Sequence, residues 1–277
     1  GENHSLILKK DFTLWACGDN KRGQLGVKDT NDQSIPVLVM SGVQSISAGI
    51  DHSLILKTDD NLWACGSNKN GQLGNKNPID RYTPVLVMSS VQSMSAGGWF
   101  SLILKTNGTL WVCGDNIFGQ LGVGDTIDRS TPVLVMDDVQ SMSAGRWHSL
   151  ILKKDSSLWA CGYNKTGQLC DRTFTNKSTP VQVMSDVQSM SAGGIQSMIL
   201  KKDDTLWACG GRRGDGTTTK RNIPVKIMDG VQGMSAGVWY SLIFKKDGSL
   251  WAFGYNEYGQ LGDGTDTSQS TPVRIDF

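Results

Sequence analysis

Short apolar or alternating runs separated by polar turns recur along the whole chain, and each run has the length of a β-strand. One copy of the pattern contains the runs Val91 to Ala96, Ser101 to Lys105, Leu110 to Cys113 and Pro132 to Met136. No stretch offers the roughly 12 residues of helical periodicity that would indicate a helix. Asn107-Gly108 and Asp247-Gly248 are typical of two-residue hairpin turns with positive φ. The pattern therefore predicts four strands per copy, connected as a meander.

The copies follow one another at a nearly constant period. One tryptophan marks each copy; the first five lie 48 residues apart and the last follows after 44, at Trp15, Trp63, Trp111, Trp159, Trp207 and Trp251. The copies span approximately residues 1–49, 50–97, 98–145, 146–193, 194–237 and 238–277. A fixed period of this length indicates repeats that each pack against their neighbours. We therefore predict a single domain over residues 1–277.

The fold follows from how such units bury their surfaces. A four-stranded sheet cannot bury both of its faces alone, whereas six such sheets stacked around an axis can. We therefore predict an all-β fold, a β-propeller of six four-stranded blades. The VQSMSAG strand occurs five times, beginning at Val43, Val91, Val139, Val187 and Val231, so the strands add up to 23. The blade that contains both ends is expected to be one strand short, or the ring has seven blades if the sequence was trimmed.

Three motifs, SAGxxHS, LWACG and NxxGQLG, recur in register across essentially the whole chain. They resemble the repeats of the regulator of chromosome condensation family, and the regularity of the copies resembles its bacterial, highly repetitive members. The histidine-serine signature stands at His4-Ser5, His52-Ser53 and His148-Ser149. The GQLG signature stands at Gly23 to Gly26, Gly71 to Gly74, Gly119 to Gly122 and Gly259 to Gly262. The resemblance implies a β-propeller.

The resemblance does not select an activity, because that family includes an exchange factor for a small GTPase, a plant UV-B photoreceptor and bacterial β-lactamase inhibitors. Family propellers usually have seven blades, whereas this sequence has six copies. It also lacks a long insertion of the kind that the exchange factor uses against its GTPase, which disfavours exchange activity. Arg146-Trp147-His148-Ser149 approaches the photoreceptor motif with the arginine shifted, but the other arginines that light sensing would need are largely missing.

Turn lengths predict that the two variable segments of every copy lie at the same face of the ring. One segment follows the Ala-Gly of the VQSMSAG strand, and the other surrounds GQLG. These positions differ from copy to copy and collect aromatic side chains and arginine, which are enriched at binding hot spots. The predicted partner-binding residues in them are Trp99, Phe100, Phe118, Arg146, Trp147, Tyr163, Trp239, Tyr240, Tyr255 and Tyr258. Packing of these rings on neighbouring loops is the alternative interpretation.

The fifth copy departs from the others. After Cys209-Gly210 it reads Gly211-Arg212-Arg213-Gly214-Asp215-Gly216, four residues shorter and without GQL. The recessed loop predicts a notch beside the fourth blade. Arg212 and Arg213, with Lys220 and Arg221, are predicted to line this notch and to favour an acidic group. A simple deletion in a solvated loop is the alternative interpretation.

Composition and charge narrow the class of partner. Hydrophobic residues make up 38% of the chain and charged residues 19%, and the formal net charge is +1. These values are typical of a soluble protein without a general attraction to nucleic acid or anionic membrane. No apolar run approaches the roughly 20 residues of a membrane span. A lysine stands before the hairpin turn of every copy and could attract a polyanion. An aspartate follows it in five of the six copies and offsets its field, which favours solvated turn charges.

The cysteines and histidines predict no catalytic or metal site. Five cysteines occupy one repeat position that holds Phe253 in the sixth copy, which indicates an apolar packing site: Cys17, Cys65, Cys113, Cys161 and Cys209. Cys170 replaces a glycine of GQLG and is expected to be exposed. No CxxC spacing indicates zinc, and we expect no cofactor. Asp51-His52-Ser53 has triad residue types, but adjacent strand residues point to opposite faces. Unpaired cysteines favour the cytoplasm, with a secreted or cell-surface location left open.

Together these features favour a non-catalytic protein-binding scaffold that holds one asymmetric partner against the aromatic loops. One version resembles the β-lactamase inhibitors, which block an enzyme by covering its active site. A carbohydrate-binding propeller is the alternative, since exposed tryptophan and tyrosine faces also stack on sugars. Regulation of a small GTPase is a third function, and it rests on the family resemblance alone.

Overall fold

The structure, a computed structural model, describes residues 1–211 and 213–276, and this part of the chain forms 23 β-strands. The first sheet contains β1 (His4–Leu8), β2 (Leu14–Gly18) and β3 (Gln33–Met40). The second contains β4 (Val43–Ala48), β5 (His52–Lys57), β6 (Leu62–Gly66) and β7 (Arg81–Met88). The third contains β8 (Val91–Ala96), β9 (Phe100–Lys105), β10 (Leu110–Gly114) and β11 (Arg129–Met136).

Three further sheets follow in the same order. The fourth contains β12 (Val139–Ala144), β13 (His148–Lys153), β14 (Leu158–Gly162) and β15 (Lys177–Met184). The fifth contains β16 (Val187–Ala192), β17 (Gln196–Lys201), β18 (Leu206–Gly210) and β19 (Arg221–Met228). The sixth contains β20 (Val231–Ala236), β21 (Tyr240–Lys245), β22 (Leu250–Gly254) and β23 (Gln269–Ile275).

Strands within a sheet pair in chain order, so each sheet is a meander. The all-β prediction is confirmed, as are the 23 strands in the described residues and the missing strand of the first sheet. Each VQSMSAG strand pairs with the strand that follows it, as the pairing of Val43 with Lys57 shows. Each four-stranded sheet therefore begins at this strand, a few residues before the approximate repeat limits drawn from the sequence.

The outer strand is longer than the sequence pattern predicts. β11 begins at Arg129 rather than at Pro132, because Arg129 pairs with Gly114 beyond a bulge that lies between Val112 and Gly114. The proline is tolerated there because the outer strand is an edge strand, where a missing N–H donor costs little. The inner strand Val91–Ala96 has the predicted bounds.

The hairpin turns between the second and third strands are three-residue loops, so the prediction of two-residue turns is wrong. The amide of Gly108 donates to the carbonyl of Lys105 (2.9 Å), and Gly108 has a φ of 82°. Oδ1 of Asn107 accepts from the amide of Thr109 (3.2 Å), which fixes the residue after the turn. In the first sheet Phe12 takes the glycine position with a φ of 62°. The side-chain hydrogen bond and the hairpin context thus impose this geometry even without glycine.

The chain divides into two compact units, Gly1–Met142 and Ser143–Phe277, and each is described by itself. The single domain predicted over residues 1–277 stays a prediction. In the first unit, Leu54 of the second sheet packs in one apolar cluster with Ile103 of the third. In the second unit, Met198 of the fifth sheet packs with Phe253 of the sixth. Burial of such side chains stabilises a fold by roughly 1.5–3 kcal/mol each, so these clusters hold neighbouring sheets together.

The cysteine position of the repeats is an apolar packing site, as predicted, because Cys65 and Cys113 are fully buried. The expectation that Cys170 is exposed is wrong. Its side chain is buried and disulfide-bonded to Cys209, with Cα atoms 5.8 Å apart. The cytoplasmic expectation rested on unpaired cysteines, so this pair removes part of its support.

Candidate functional site

Within each four-stranded sheet, the short loop between the first and second strands lies beside the long loop between the third and fourth strands. The amide that follows the third strand donates to a short-loop carbonyl: Ser67 to Asp51 (2.8 Å), Asp115 to Trp99 (2.9 Å), Tyr163 to Trp147 (2.8 Å), Gly211 to Ile195 (2.9 Å) and Tyr255 to Trp239 (2.9 Å). The two variable segments of a repeat therefore lie at the same end of their sheet. This confirms, for each sheet separately, the placement predicted from turn lengths.

A glycine at the end of the third strand allows this close approach. Gly66 has a φ of 103°, and a Cβ atom there would lie 2.4 Å from the carbonyl oxygen of Asp51. Any other side chain would force the two loops apart. The glycine of the LWACG motif thus positions the loops, whereas the residues after it are free to vary.

The repeated asparagine and glutamine of NxxGQLG form the internal frame of the long loop. Oδ1 of the buried Asn116 accepts from the amide of Leu121 (3.0 Å), and its Nδ2 donates to the carbonyl of Asp125 (3.0 Å). Oε1 of Gln120 accepts from the amide of Phe118 (2.9 Å). Because the buried amides hold the backbone, the side chains at the two positions between them can change without loss of the loop.

The three predicted partner-binding residues of the first unit differ in burial. Trp99 and Phe118 are half-buried in the short and long loops of the third repeat. Phe100 is fully buried, so the prediction that it contacts a partner is corrected. A Cβ atom on Gly97 would lie 2.2 Å from the ring of Phe100, as one on Gly49 would from the ring of His52. Phe100 thus takes the core position of the repeat histidine.

The signal for this burial was present in the sequence. Phe100 aligns with His52 and His148, both of which are fully buried. Ile117, which is aliphatic and was left out of the predicted set, is 62% exposed in the same long loop as Phe118. Exposure in the loops therefore follows position in the repeat more than residue type.

The fourth repeat, in the second unit, carries a compact aromatic cluster. The rings of Trp147 and Tyr163 meet edge to face, with centroids 5.8 Å apart. The guanidinium carbon of Arg146 lies 4.9 Å from the centroid of the Trp147 ring, which is a cation–π distance. The amide of Arg146 donates to the carbonyl of Gly193 (3.1 Å). Three predicted site residues are thus brought together: Arg146 and Trp147 on the short loop, which is fixed to the next repeat, and Tyr163 on the long loop.

The sixth repeat carries a second aromatic cluster. Tyr255 and Tyr258 meet edge to face at 6.1 Å, and Trp239 and Tyr258 are 43% and 85% exposed. The hydroxyl of Tyr255 donates to the carboxylate of Glu257, and this hydrogen bond raises the pKa of Tyr255 to about 12. Tyr240 is only partly exposed, beneath the Trp239 loop. The most accessible aromatic surface of this repeat therefore comes from Trp239 and Tyr258.

The shortened long loop of the fifth repeat leaves a cavity of about 410 Å³, which matches the predicted notch. Thr166 of the fourth repeat and Ile195 of the fifth line one part of it, and Phe253 and Gln269 of the sixth line another. Tyr163 belongs to the loop that supplies Thr166, and Tyr255 directly follows a lining residue, Gly254. The notch therefore lies between the repeats that carry the two aromatic clusters.

Arg213 and Lys220 line this notch, as predicted. The guanidinium of Arg213 is taken up by internal hydrogen bonds, which corrects the prediction that it favours an acidic partner. Arg213 is fully buried. Its Nη1 donates to the carbonyls of Gly210 (2.6 Å) and Thr219, and its Nη2 donates to Asp215 (2.7 Å) and Thr217 (2.7 Å). Burial raises the pKa of Asp215, but the hydrogen bonds from Arg213 and Thr217 outweigh it and leave the pKa lowered.

Arg213 replaces the asparagine that the deletion removed. Nδ2 of Asn164, in the fourth repeat, donates to Asp171 (2.9 Å) and to the carbonyl of Thr175 (3.2 Å). Counted back from the outer strand, Asp215 and Thr219 are the equivalents of these two acceptors. A buried guanidinium thus supplies the donors of the missing amide. Arg212, also predicted to line the notch, lies outside the described residues.

The repeat histidines fasten neighbouring sheets together. Nε2 of His4 lies 3.0 Å from Oγ of Ser53, and Nε2 of His148 lies 2.9 Å from Oγ of Ser197. Burial lowers the pKa of His148 to about 3 and, with the N-terminal charge, that of His4 to about 4. Each histidine contacts the serine of the next repeat, not the serine that follows it in sequence, which agrees with the interpretation of these residues as structural.

Comparison with known proteins identifies the family. Residues 1–212 match the RCC1-like domain, and residues 231–260 and 247–277 each match the regulator of chromosome condensation (RCC1) repeat. The chain belongs to the RCC1-like domain family. An RCC1 repeat-containing protein of Schizosaccharomyces pombe is 62% identical over 26 residues, a stretch that covers 9% of this chain and 7% of that protein.

Solved structures share the fold of this RCC1-like chain over its full length. Human WBSCR16 matches with a TM-score of 0.90 at 23% identity, covering 100% of this chain and 80% of that one. Yeast RCC1 (Prp20), in its complex with Kap60, matches with a TM-score of 0.88 at 21% identity, covering 100% of this chain and 74% of that one. The fold is therefore the propeller-like RCC1 fold, and at these identities the likeness extends to the fold alone.

The described part of the RCC1-like chain contains neither a metal-binding cluster nor a membrane-spanning helix. Within residues 1–211 and 213–276, no group of three or more histidine, cysteine, aspartate or glutamate side chains is placed to hold a metal ion. The same residues contain no helix with the length and apolar character needed to cross a membrane.

Proposed function

We propose that this chain is a non-catalytic protein-binding domain that holds one protein partner against the loops of its second unit. The proposed contact surface, called here the loop surface, consists of the notch and of Arg146, Trp147, Tyr163, Trp239, Tyr255 and Tyr258. The observation that carries the proposal is the placement of two aromatic clusters in the repeats on either side of the notch.

The chemistry of these side chains suits a protein interface. Tryptophan, tyrosine and arginine dominate binding hot spots, because they combine a large apolar area with a polar tip. Edge-to-face contacts restrain the rings of Trp147 and Tyr255 before a partner arrives, which lowers the entropy cost of binding. The notch between the clusters could receive one side chain of the partner, with the ring of Phe253 in its wall.

The asymmetry of the loops favours one protein partner over repeated sugar sites. A lectin-like propeller would be expected to carry similar pockets in successive repeats. Here the deletion that creates the notch occurs in the fifth repeat, and the flanking loops differ in sequence from all their counterparts. A single partner with one matching surface accounts for this pattern.

The structural roles of the repeat histidines and serines support a binding role over a catalytic one. His52 and His148 have pKa values lowered to about 3 by burial, so neither can act as a general base at a surface. The hydroxyls of Ser53 and Ser197 donate to backbone carbonyls (2.6 and 2.7 Å) and are held as structural links. In one form of the proposal, shared with bacterial inhibitors of the same repeat family, the loop surface regulates an enzyme by covering its active site.

A mutational binding experiment tests the proposal. The partner would be captured from the source organism, purified, and titrated by calorimetry against wild type and the combined variant Trp147→Ala and Trp239→Ala. Phe244→Ala is the matched control, because Phe244 is 43% exposed like Trp239 and lies at the other end of β21. Loss of two hot-spot tryptophans should raise the dissociation constant by roughly a hundredfold or more, whereas the control should bind as wild type does.

Three other outcomes would contradict or replace the proposal. Equal dissociation constants for wild type and the combined variant would remove the loop surface as the contact site. Binding on a glycan array that the combined variant loses would favour the lectin-like function instead. Accelerated nucleotide release from a small GTPase would favour the exchange-factor function.

A further inference from the structure

In the first two repeats, the last glycine of the GQLG motif packs against the cysteine of the next repeat. A Cβ atom built on Gly26 would lie 3.1 Å from Sγ of Cys65, and one on Gly74 would lie 3.0 Å from Sγ of Cys113. Both glycines have positive φ, at 74° and 69°. The position is therefore one where any added side chain points directly at a thiol of the neighbouring sheet.

Cys170 occupies this glycine position in the fourth repeat. Its φ of 61° is close to that of Gly74, so the backbone keeps the conformation of the glycine repeats. Its partner Cys209 is the packing cysteine of the fifth repeat, at the same 39-residue separation that joins Gly74 to Cys113. The Cα atoms of Cys170 and Cys209 lie 5.8 Å apart, within the usual range for a disulfide of about 4.4–6.8 Å.

The other packing cysteines show what Cys209 would be without this neighbour. Burial raises the pKa of Cys65, Cys113 and Cys161 to about 12, which leaves them as protonated, unreactive thiols. The fourth repeat alone replaces the GQLG glycine by a residue that can react with the thiol it faces. One substitution has thus turned a packing contact into a potential covalent link.

We infer that Cys170 and Cys209 form a redox modification site, at which a small-molecule disulfide links the fourth repeat to the fifth by thiol–disulfide exchange. Both sulfurs are buried in the folded chain, so the exchange begins when the loop that carries Cys170 opens. The exposed thiolate of Cys170 then attacks one sulfur of the small disulfide and releases one thiol. Cys209, after losing its proton, then attacks Sγ of Cys170 and releases the second thiol. Two protein thiols are oxidised and one small disulfide is reduced to two thiols, so electrons and protons balance.

The link has a definite structural consequence. It ties the loop that contains Thr166 to the end of β18, next to Gly211, and both of these residues line the notch. It also fixes the contact between the two repeats that border the shortened loop. Formation of the disulfide between Cys170 and Cys209 does not depend on whether the loop surface binds a protein.

Thiol counting on the intact protein tests the inference. Purified protein would be incubated with reduced or oxidised glutathione, unfolded, alkylated and weighed by mass spectrometry. Of the six cysteines, all should be alkylated after reduction and four after oxidation, with a single crosslinked peptide that joins Cys170 to Cys209. Oxidation should also raise the melting temperature by roughly 5 °C or more.

Two variants make the test specific. Cys170→Gly restores the residue of the other repeats, so it should fold, should alkylate equally under both conditions and should lose the redox dependence of its melting temperature. Gly74→Cys places a thiol in the same register against Cys113 and should gain a second crosslink. Six alkylated cysteines in oxidised wild type, or a crosslink between any other pair, would overturn the inference.

Discussion

Nε2 of His52 lies 3.1 Å from Oγ of Ser101, a residue of the next repeat, and both side chains are fully buried. The hydroxyl of Ser101 donates to the carbonyl of Gln72 (2.7 Å). A hydroxyl has one proton to donate, so the histidine must donate from Nε2, and burial favours its neutral form. This three-part link joins adjacent sheets of the first unit, and it makes the stability of the protein depend on pH.

We expect stability to fall as the pH drops below about 6.5. Burial, with the charges of His4 and the N-terminus, lowers the pKa of His52 from 6.5 to about 3. The neutral form is therefore favoured by folding, and its contribution is fully present above pH 6.5 and lost progressively toward pH 3. Each such histidine should add a slope of about 1.4 kcal/mol per pH unit in this window, measurable by denaturant unfolding at several pH values.

The chain itself supplies a control for this prediction. Gln196 stands at the histidine position of the fifth repeat, and its Nε2 donates to Oγ of Ser241 (2.7 Å). His52→Gln and His148→Gln should therefore keep the link near neutral pH while flattening the acid-side slope. An unchanged slope in the double variant would show that other groups cause the acid sensitivity.

Arg213 should be among the residues least tolerant of substitution. Arg213→Lys keeps the charge but cannot reproduce the planar set of hydrogen bonds to Gly210, Asp215 and Thr217. Because a buried carboxylate and carbonyls would lose donors, the free energy of unfolding should fall by about 3 kcal/mol. Arg172→Lys, at an exposed loop position, should change it by less than about 0.5 kcal/mol. Equal effects of the two substitutions would contradict the role assigned to Arg213.

The last glycine of the GQLG motif should be sensitive to substitution for two separable reasons. Gly124, which lies two residues beyond the third GQLG motif, is the control. Gly74 and Gly124 both have positive φ, at 69° and 93°, so alanine should cost about 1 kcal/mol at either for its backbone conformation. A Cβ atom on Gly74 would also meet Sγ of Cys113 at 3.0 Å, whereas one on Gly124 would meet nothing within 4 Å. Gly74→Ala should therefore destabilise by roughly 1–3 kcal/mol more than Gly124→Ala in chemical denaturation. Similar losses in the free energy of unfolding at the two sites would mean that the neighbouring sheet can shift to make room for the methyl group.

The strands and their order could be predicted from sequence because they depend on local pattern. The 48-residue period and the alternating runs identified the meander, the strand missing from the first sheet and the shared end of the two variable loops. The predicted strand bounds were wrong where a bulge lies between paired residues, as it does before the pair Gly114 and Arg129. The predicted turn length was wrong because the side chain of Asn107, and not glycine alone, determines the hairpin.

The details of the candidate site could not be predicted because they depend on contacts between repeats. Phe100 was assigned to the surface because it is aromatic, although its place in the repeat is the buried histidine position. Arg213 was assigned to a partner because it is charged, whereas the deletion turned it into a replacement for an internal asparagine. Cys170 could be placed only when the glycine it replaces was seen to face a cysteine 39 residues further on.

Hydrogen–deuterium exchange of the chain with and without its purified partner tests the central claim most directly. If the loop surface holds the partner, amides at residues 146–147, 163–166, 239–240 and 255–258 should exchange more slowly in the complex. The turn at Asp247-Gly248, at the other end of the sixth sheet, should exchange as in the free protein. Protection confined to the hairpin turns at this other end of the sheets, with unchanged exchange around Trp147 and Trp239, would contradict the proposed function.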